Sequence, residues 1–416
     1  MRNSAFWWIM IAFMVLLDLY FFQALKTISQ SASPKAKLII YIAYWVISAG
    51  AIIVLLLLPY LQFENQNRFI RNTLFASIAG LFFAKLIASS IFLIDDVRRV
   101  IQWIAGKVMF SNTEGEAYQA GERITRSVFL SWTGMLFGGG LFGSLVYGFG
   151  NKYNYQLKKL QLAFDKLPAS FKGLKIVQIS DIHSGSFTKK EGVGKGIDKI
   201  LDEQPDLILF TGDLVNNRSD EMNDFMDTFS RLKAPLGVYS ILGNHDYGDY
   251  SSWNSAEEKK ANLDRLKEIH KELGWQLMLD ENTTLEKNGE KIALIGVQNI
   301  SGKSRFKSYG DLPKAYEGIN ESQFKILMSH DPSHWDAEVR KNFPGIDLML
   351  SGHTHGFQFG VEIPGFKWSP VQYVYKQWAG LYKQGEQHLY VNRGFGFIGY
   401  PGRVGILPEI TVIELI

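Results

Sequence analysis

Four long apolar runs fill the first third of the chain, and short apolar runs separated by polar stretches fill the rest. The long runs are roughly Ala5–Leu25, Leu38–Leu61, Ile70–Ile94 and Val128–Gly148. A helix rises about 1.5 Å per residue, so about 20 residues cross a hydrocarbon core of about 30 Å. Each run reaches that length. A soluble helix of this size carries a polar stripe, and Leu38–Tyr60 has almost none. All four are therefore read as transmembrane helices. The first is long and lacks the small-residue cleavage site of a secretory signal. Asp18 and Lys85 interrupt the first and third runs, which cross in the same direction. The two charges fall at similar depth, where they either pair inside the bundle or face water separately. Between the third and fourth runs Val97, Val100, Ile101, Ile104 and Val108 repeat at helical spacing. Arg98, Arg99, Gln102 and Lys107 lie largely off that stripe, and Trp103 suits a headgroup boundary. The expectation is a short helix on the membrane surface, or a cap packed on the bundle.

From about Asn151 the period shortens. Leu174–Ser180, Leu207–Thr211, Gly237–Leu242, Ile292–Val297, Phe324–Ser329, Leu348–Ser351, Leu389–Val391 and Ile410–Leu415 read as strands. Lys190–Glu203, Glu221–Leu232 and Ala256–Leu273 read as helices, and the alternation implies a layered α/β domain. The chain thus divides into a membrane region, 1–150, and a second domain, 151–416, joined by Asn151–Ser170. The Lys158–Lys159 pair in that connector is placed to touch anionic headgroups or to be solvated.

A formal charge of +3 over 416 residues is nearly balanced, so no nucleic-acid partner is indicated. The absence of cysteine excludes disulfides and thiolate metal sites. With four spans the termini share one side, which carries Arg2, Arg68, Arg71, Lys152, Lys158 and Lys159. The other side carries Lys26, Lys35, Lys37, Arg98, Arg99, Lys107, Arg123 and Arg126, and the count leans towards an extracytoplasmic C-terminal domain of a multi-pass cell-membrane protein. The stretch Ile124–Leu130, ahead of a Gly-rich apolar run, resembles a twin-arginine export signal with Thr125 in place of one arginine.

Candidate chemistry sits where strands end. Five apolar runs lead directly into SDIHSG (Asp181, His183), TGDLVNN (Asp213), LGNHD (Asn244, His245), SHD (His330) and SGHTHG (His353, His355). Ligands of open α/β sheets bind at strand ends. One such stretch alone is weak, but five termini carrying ligand-type side chains are not a chance pattern. Imidazole, carboxylate and amide oxygen together suit manganese, iron or zinc better than copper or calcium.

The order of these motifs resembles the calcineurin-like metallophosphoesterase superfamily over roughly Leu174–Leu415. It is most similar to the membrane-associated branch with bacterial phosphodiesterases and a UDP-2,3-diacylglucosamine pyrophosphatase, a likeness extended by WAGLY (Trp378–Tyr382) and by Tyr390–Ile410. The resemblance implies an α/β/β/α layered domain holding two divalent metal ions. One would be held by Asp181, His183, Asp213 and His355, the other by Asp213, Asn244, His330 and His353, with Asp213 bridging. Such a pair would acidify a water for in-line attack on phosphorus, and His245 would protonate the leaving oxygen. Gly352 and Gly356 would let the backbone turn beside the ions. Two positions depart from the family pattern. Asn216 stands where an acid often orients the catalytic histidine, and Asp246 is a possible substitute. Phe357 stands where glycine is usual and would make the pocket more apolar.

Phe366, Trp368, Tyr373, Tyr375, Trp378 and Tyr382 form either a lipid-facing wall or a packed lid. Arg393 and Arg403 are candidates to meet substrate phosphate, or to form salt bridges. The leading function is hydrolysis of a phosphodiester, phosphomonoester or pyrophosphate on a lipid-linked substrate. The alternatives are a non-catalytic membrane sensor or scaffold, and a transporter with a regulatory domain.

Overall fold

The computed structural model describes residues 5–57, 68–109, 127–321 and 323–416. Arg2, Arg123, Arg126 and the start of the export-signal-like stretch at Ile124 lie outside them. The chain forms two compact units, Met1–Tyr147 and Gly148–Ile416.

The first unit contains α1 (Ala5–Ile28), α2 (Pro34–Leu57), α3 (Arg68–Met109) and α4 (Val128–Gly148), each long and apolar enough to cross a membrane. Pro34 opens α2 where no backbone donor is needed, and the Ser33 hydroxyl accepts from Ala36 N at 3.3 Å. Gly134 and Gly138 of α4 lie against α3, where a Cβ at either would overlap the carbonyl of Ala88 or Ala84. Small residues four apart bring the two backbones together, the usual device of packing in lipid.

The expected surface helix is not separate. It is the end of α3, which runs 42 residues without a break. At about 1.5 Å per residue this is roughly twice the thickness of a hydrocarbon core. Nothing between Ile94 and Val97 breaks a helix: Asp95 and Asp96 pair with Arg98 and Arg99 one turn on, at 2.7 and 2.8 Å. Asp95, fully buried, also accepts from Ser127 N at the start of α4, at 2.8 Å.

The two charges within the spans do pair. Lys85 Nζ lies 2.5 Å from Asp18 Oδ1 and 2.6 Å from Ser48 Oγ, while Tyr44 OH donates to Asp18 Oδ1 at 3.2 Å. Both ionic side chains are buried, so losing one strands the other in a region without water. Asp18→Asn or Lys85→Met alone should each cost about 3 kcal/mol. Exchanging the two charges should cost less than either single change, as read by unfolding in detergent. Equal damage in all three variants would mean that the pair does not hold the bundle.

The second unit is built on two six-stranded sheets. The first has the order β1 (Gln156–Leu162), β14 (Glu409–Leu415), β2 (Lys175–Ile179), β3 (Leu207–Phe210), β4 (Val238–Ser240), β5 (Gln276–Leu277). The second runs β12 (Gly380–Gln384), β13 (Gln387–Val391), β9 (Leu348–Ser351), β8 (Lys325–Met328), β7 (Glu290–Gly296), β6 (Glu281–Lys287). A two-stranded hairpin of β10 (Val361–Ile363) and β11 (Phe366–Trp368) stands apart from both.

Strand alternation explains the layers. Ile176, Leu207, Leu209, Leu294, Ile326, Met328, Leu348 and Leu350 point between the sheets and share one core. The intervening Val177, Ile208 and Phe210 pack instead under α5 (Lys190–Asp202) and α7 (Ala256–Glu272), whose inward residues include Val193, Ile197, Leu266 and Ile269. Ile295, Leu327 and Met349 face the outer layer on the other side. The result is the α/β/β/α arrangement.

Several segments differ from expectation. The connector contains β1, a full strand parallel to β14. Its Lys158 and Lys159 form surface ion pairs with Glu362 at 3.1 Å and Glu203 at 2.7 Å. The helix expected over Glu221–Leu232 is a 3-10 turn, Ser219–Phe225, followed by one short turn, α6 (Met226–Phe229).

Candidate metal centre

Each motif lies just beyond the end of a strand. Asp181 and His183 follow β2, Asp213 follows β3, Asn244 and His245 follow β4, His330 follows β8, and His353 and His355 follow β9. β2, β3 and β4 run parallel, as do β8 and β9, so their C-terminal ends deliver these side chains together.

The side chains gather into two groups, Asp181, His183 and His355, and Asp213, His330 and His353, each with ligand atoms within 4.8 Å of one another and all buried except His353, which is partly exposed. One carboxylate touches both. Asp213 Oδ2 lies 3.5 Å from His183 Nε2 and 3.1 Å from His330 Nε2. Asn244 Oδ1 joins the second group, 2.7 Å from His353 Nδ1. The amide is oriented by its nitrogen, which donates to Tyr250 OH at 3.0 Å. Both ring nitrogens of His183, and Nε2 of His355, are buried without a hydrogen-bond partner. An imidazole nitrogen without a hydrogen bond costs about 1–3 kcal/mol in a dry interior, and a divalent cation would take one nitrogen of each ring, with the Asp181 carboxylate 3.2 Å from His355 Nε2 as a fellow ligand. The donor set therefore fits metal.

Backbone strain is concentrated at the same place. Asp181, His183, Asp213, His353 and His355 all adopt positive φ, between 48° and 73°. The left-handed region costs an L-residue with a Cβ about 1–2 kcal/mol, and such strain collects at functional sites. Long-range contacts hold it in place. Asp246 accepts from the backbone N–H of Asp213, Leu214, Val215 and Gly243 at 2.9, 2.8, 3.2 and 2.8 Å. His353 N donates to both oxygens of Asp181 at 3.0 Å. At Gly352 a Cβ would overlap the side chains of Ser180 and Asp181, so glycine is required there by close approach. Of the two glycines, Gly356 is the one with positive φ, 55°.

Carbonyl partners set the free nitrogens. His330 Nδ1 lies 2.8 Å from Thr211 O, and because a carbonyl only accepts, Nδ1 carries the proton and Nε2 is left facing Asp213. His353 is oriented through its other nitrogen: Nε2 lies 2.9 Å from Tyr375 OH, which donates to Asp331 Oδ2 at 3.4 Å. His353 Nδ1 faces Asn244 Oδ1 at 2.7 Å, an oxygen that only accepts, so a metal bound between them would take the place of a shared proton. Charge follows the same geometry. Burial alone would lower His330, but Asp213 and Asp181 outweigh it and push it up to about 10, so a metal at Nε2 would have to displace a proton there. Burial keeps His183 well below its ordinary value despite Asp213.

Comparisons with known proteins give the same reading. A family model described as calcineurin-like phosphoesterase matches residues 174–357, and one described as probable calcineurin-like phosphoesterase, transmembrane domain, matches 1–151. The chain is 31% identical over 298 residues to an uncharacterized metallophosphoesterase, YkuE, of Bacillus subtilis, covering 66% of this chain and 95% of that one. The chain belongs to the calcineurin-like metallophosphoesterase family. It is also 28% identical to a zebrafish (Danio rerio) transmembrane protein with a metallophosphoesterase domain, over 62% of this chain and 56% of that one. With the UDP-2,3-diacylglucosamine pyrophosphatase LpxG of Chlamydia muridarum it shares 29% identity, over 58% of this chain and 83% of that one. It is a membrane-associated metallophosphoesterase, an enzyme acting on phosphoric esters.

The metallophosphoesterase departs from the sequence reading at four points. His245 Nδ1 lies 2.8 Å from the main-chain oxygen of Asn216, so the backbone fixes its tautomer, and the Asn216 amide donates to Ser186 Oγ at 3.1 Å. Asp246 is engaged by loop backbone and does not replace a missing acid at His245. Burial and the adjacent Asp213 carboxylate push it up to about 7 against those four donors. Arg393 and Arg403 do not await a phosphate: Arg393 is buried against Glu409 at 2.5 Å and Glu362 at 2.9 Å. Arg403, fully buried, donates to the carbonyls of Arg393, at 2.7 Å, and Gly396, and its Nη2 lies 3.2 Å from His355 Nδ1. The aromatic stretch divides. Tyr375 and Trp378 are packed with Val371 and Ile406, whereas Phe366 and Tyr373 are exposed and Phe357 is half-exposed. Tyr375 was expected only as part of the aromatic wall or lid, and Asp331 was not singled out, although it directly follows His330 in the SHD stretch.

A Tyr375→Phe variant should bind metal on the His353 side about 10–100-fold more weakly, the usual effect of removing a partner of a ligand histidine. Titration of metal content in the purified protein tests this, and unchanged affinity would deny the hydroxyl that part.

Proposed function

We propose that Asp181, His183, Asp213 and His355 hold one divalent metal, and that Asp213, Asn244, His330 and His353 hold a second. The carrying observation is the Asp213 oxygen within reach of both imidazole groups. Metal at these residues supplies Lewis acidity, polarising the phosphoryl oxygens and providing a nucleophile near neutral pH. Everything else is done by the chain. Asp213 holds the two groups together and accepts from His245 N at 2.8 Å. Thr211, Tyr250 and Tyr375 fix the orientation of ligand side chains. His245, its Nδ1 held by Asn216 O, keeps Nε2 to deliver a proton to the leaving oxygen. Its ring stands 5.0 Å from that of His183, at the edge of the centre.

We read residues 1–150 as the membrane region and 151–416 as the hydrolase, acting on a lipid-linked phosphoester. Val361, Ile363 and Phe366 of the β10–β11 hairpin and the nearby Tyr373 and Val374 are exposed apolar side chains, which supports an acyl-bearing substrate. Sidedness divides the substrates: a cytoplasmic hydrolase reaches a UDP-2,3-diacylglucosamine-like nucleotide lipid, an extracytoplasmic one reaches phospholipid headgroups. The basic-residue count favours the second, and protease accessibility in intact cells decides it. Purified protein should hydrolyse bis-p-nitrophenyl phosphate with manganese. Firm metal binding without turnover, whatever the metal, would leave a sensor or scaffold instead.

A further inference from the structure

The loop Ser301–Gly310, between β7 and the next helix, reads SGKSRFKSYG and contains Lys303, Arg305 and Lys307 with no acidic residue. All three cations are exposed, and none has an ion-pair partner among the described residues. Here the charges rest on rings: Lys303 lies 5.4 Å from the centroid of Tyr375, Arg305 5.7 Å from Phe306 and Lys307 5.0 Å from Tyr309.

The loop is fastened to the metal centre. Ser301 Oγ donates to Asp331 Oδ2 at 2.6 Å, on the same carboxylate that orients Tyr375. The Phe306 ring meets the His353 imidazole edge-on at 4.6 Å. Asn299 Nδ2 donates to Lys307 O at 2.8 Å, and Tyr309 stacks on Tyr247 at 3.7 Å. Three cations are thus held beside the His353 side of the centre by buried anchors, with the Asp249 carboxylate acting on Lys307 alone. Like charges are crowded at a fixed place only at an electrostatic cost, which an anionic ligand removes.

Building on the phosphoesterase reading, we propose that this loop is a second anion site, taking a phosphate linked to the one being cleaved. The preferred substrate is then a diphosphate ester in place of a simple mono- or diester, which sets the loop against the phospholipid headgroup that the basic-residue count favours.

The test compares two substrates on the full chain in neutral detergent with manganese: bis-p-nitrophenyl phosphate and a nucleoside diphosphate sugar. Replacing Lys303, Arg305 and Lys307 together by alanine should raise KM for the diphosphate about tenfold or more, the scale of one or two lost charge-assisted hydrogen bonds. Turnover of bis-p-nitrophenyl phosphate should stay within about twofold, since that substrate has no second phosphate to lose contacts. Added salt should raise the wild-type KM for the diphosphate and leave the variant's nearly flat. Equal changes on both substrates, or none on either, would overturn the proposal. So would a wild type that cleaves the monophosphate diester yet is neither inhibited by nor active on the diphosphate. A variant impaired only in bilayers containing anionic lipid would assign the loop to headgroups and overturn it too. Cleavage of neither substrate by wild type would remove the phosphoesterase reading itself, and this one with it.

Discussion

Asp213→Ala should abolish turnover, lowering kcat on bis-p-nitrophenyl phosphate by about 1,000-fold or more. A bound metal contributes several kcal/mol of transition-state stabilisation, and each 1.4 kcal/mol is a factor of ten. Among the described residues Asp213 is the side chain that reaches both imidazole groups, at 3.5 and 3.1 Å, so its loss weakens both. Its backbone is fastened through Asp246 and its side chain is small, so the β-sandwich, whose core lies between the sheets, should still fold. Metal content therefore has to fall along with activity. Asp213→Asn separates charge from shape: it keeps the volume and one oxygen, and should still lose most of the metal. A folded Asp213→Ala protein that retained its metal would remove Asp213 from its bridging role.

The second large effect is expected at His245. Removing a positioned acid costs on the order of 100 to 10,000-fold, and here the size should depend on the leaving group. An alkoxide needs a proton as it departs, whereas p-nitrophenolate leaves without one. His245→Gln should therefore be most damaging on an alkyl phosphodiester and mild on a p-nitrophenyl ester, with metal content unchanged. Uniform loss on both substrates, or loss of metal, would make His245 a structural residue. The hydrogen bond from His245 Nδ1 to Asn216 O is made by backbone, so Asn216→Ala should leave the tautomer intact and cost little.

Much of this protein was legible in its residues. Spans were fixed by apolar length, because every backbone group in lipid must be satisfied within the helix. Strands were readable as short apolar runs, and the predicted ligand residues lie at strand ends because the polar loop begins where the apolar run stops. Those are local properties, carried by neighbouring residues. Turns and edge strands carried less signal: β1 reads QLKKLQL, whose polar side chains alternate at a sheet edge and mimic a linker.

Partner choice was not local. Asp18 finds Lys85 across 67 residues, and His330 finds Thr211 across 119. Asp246 appeared to be the substitute for a missing acid, yet folding places it under four backbone donors. Arg393 and Arg403 were open to phosphate or to salt bridges; folding gave Arg393 the salt bridges and buried Arg403 among main-chain carbonyls. The sequence by itself determined which chemistries the chain has and which elements present them, because hydrophobic period and ligand type belong to each segment. Only the tertiary structure decided which carboxylate is shared, which tautomers are held and which cations stay free, because those depend on packing between segments far apart in the chain.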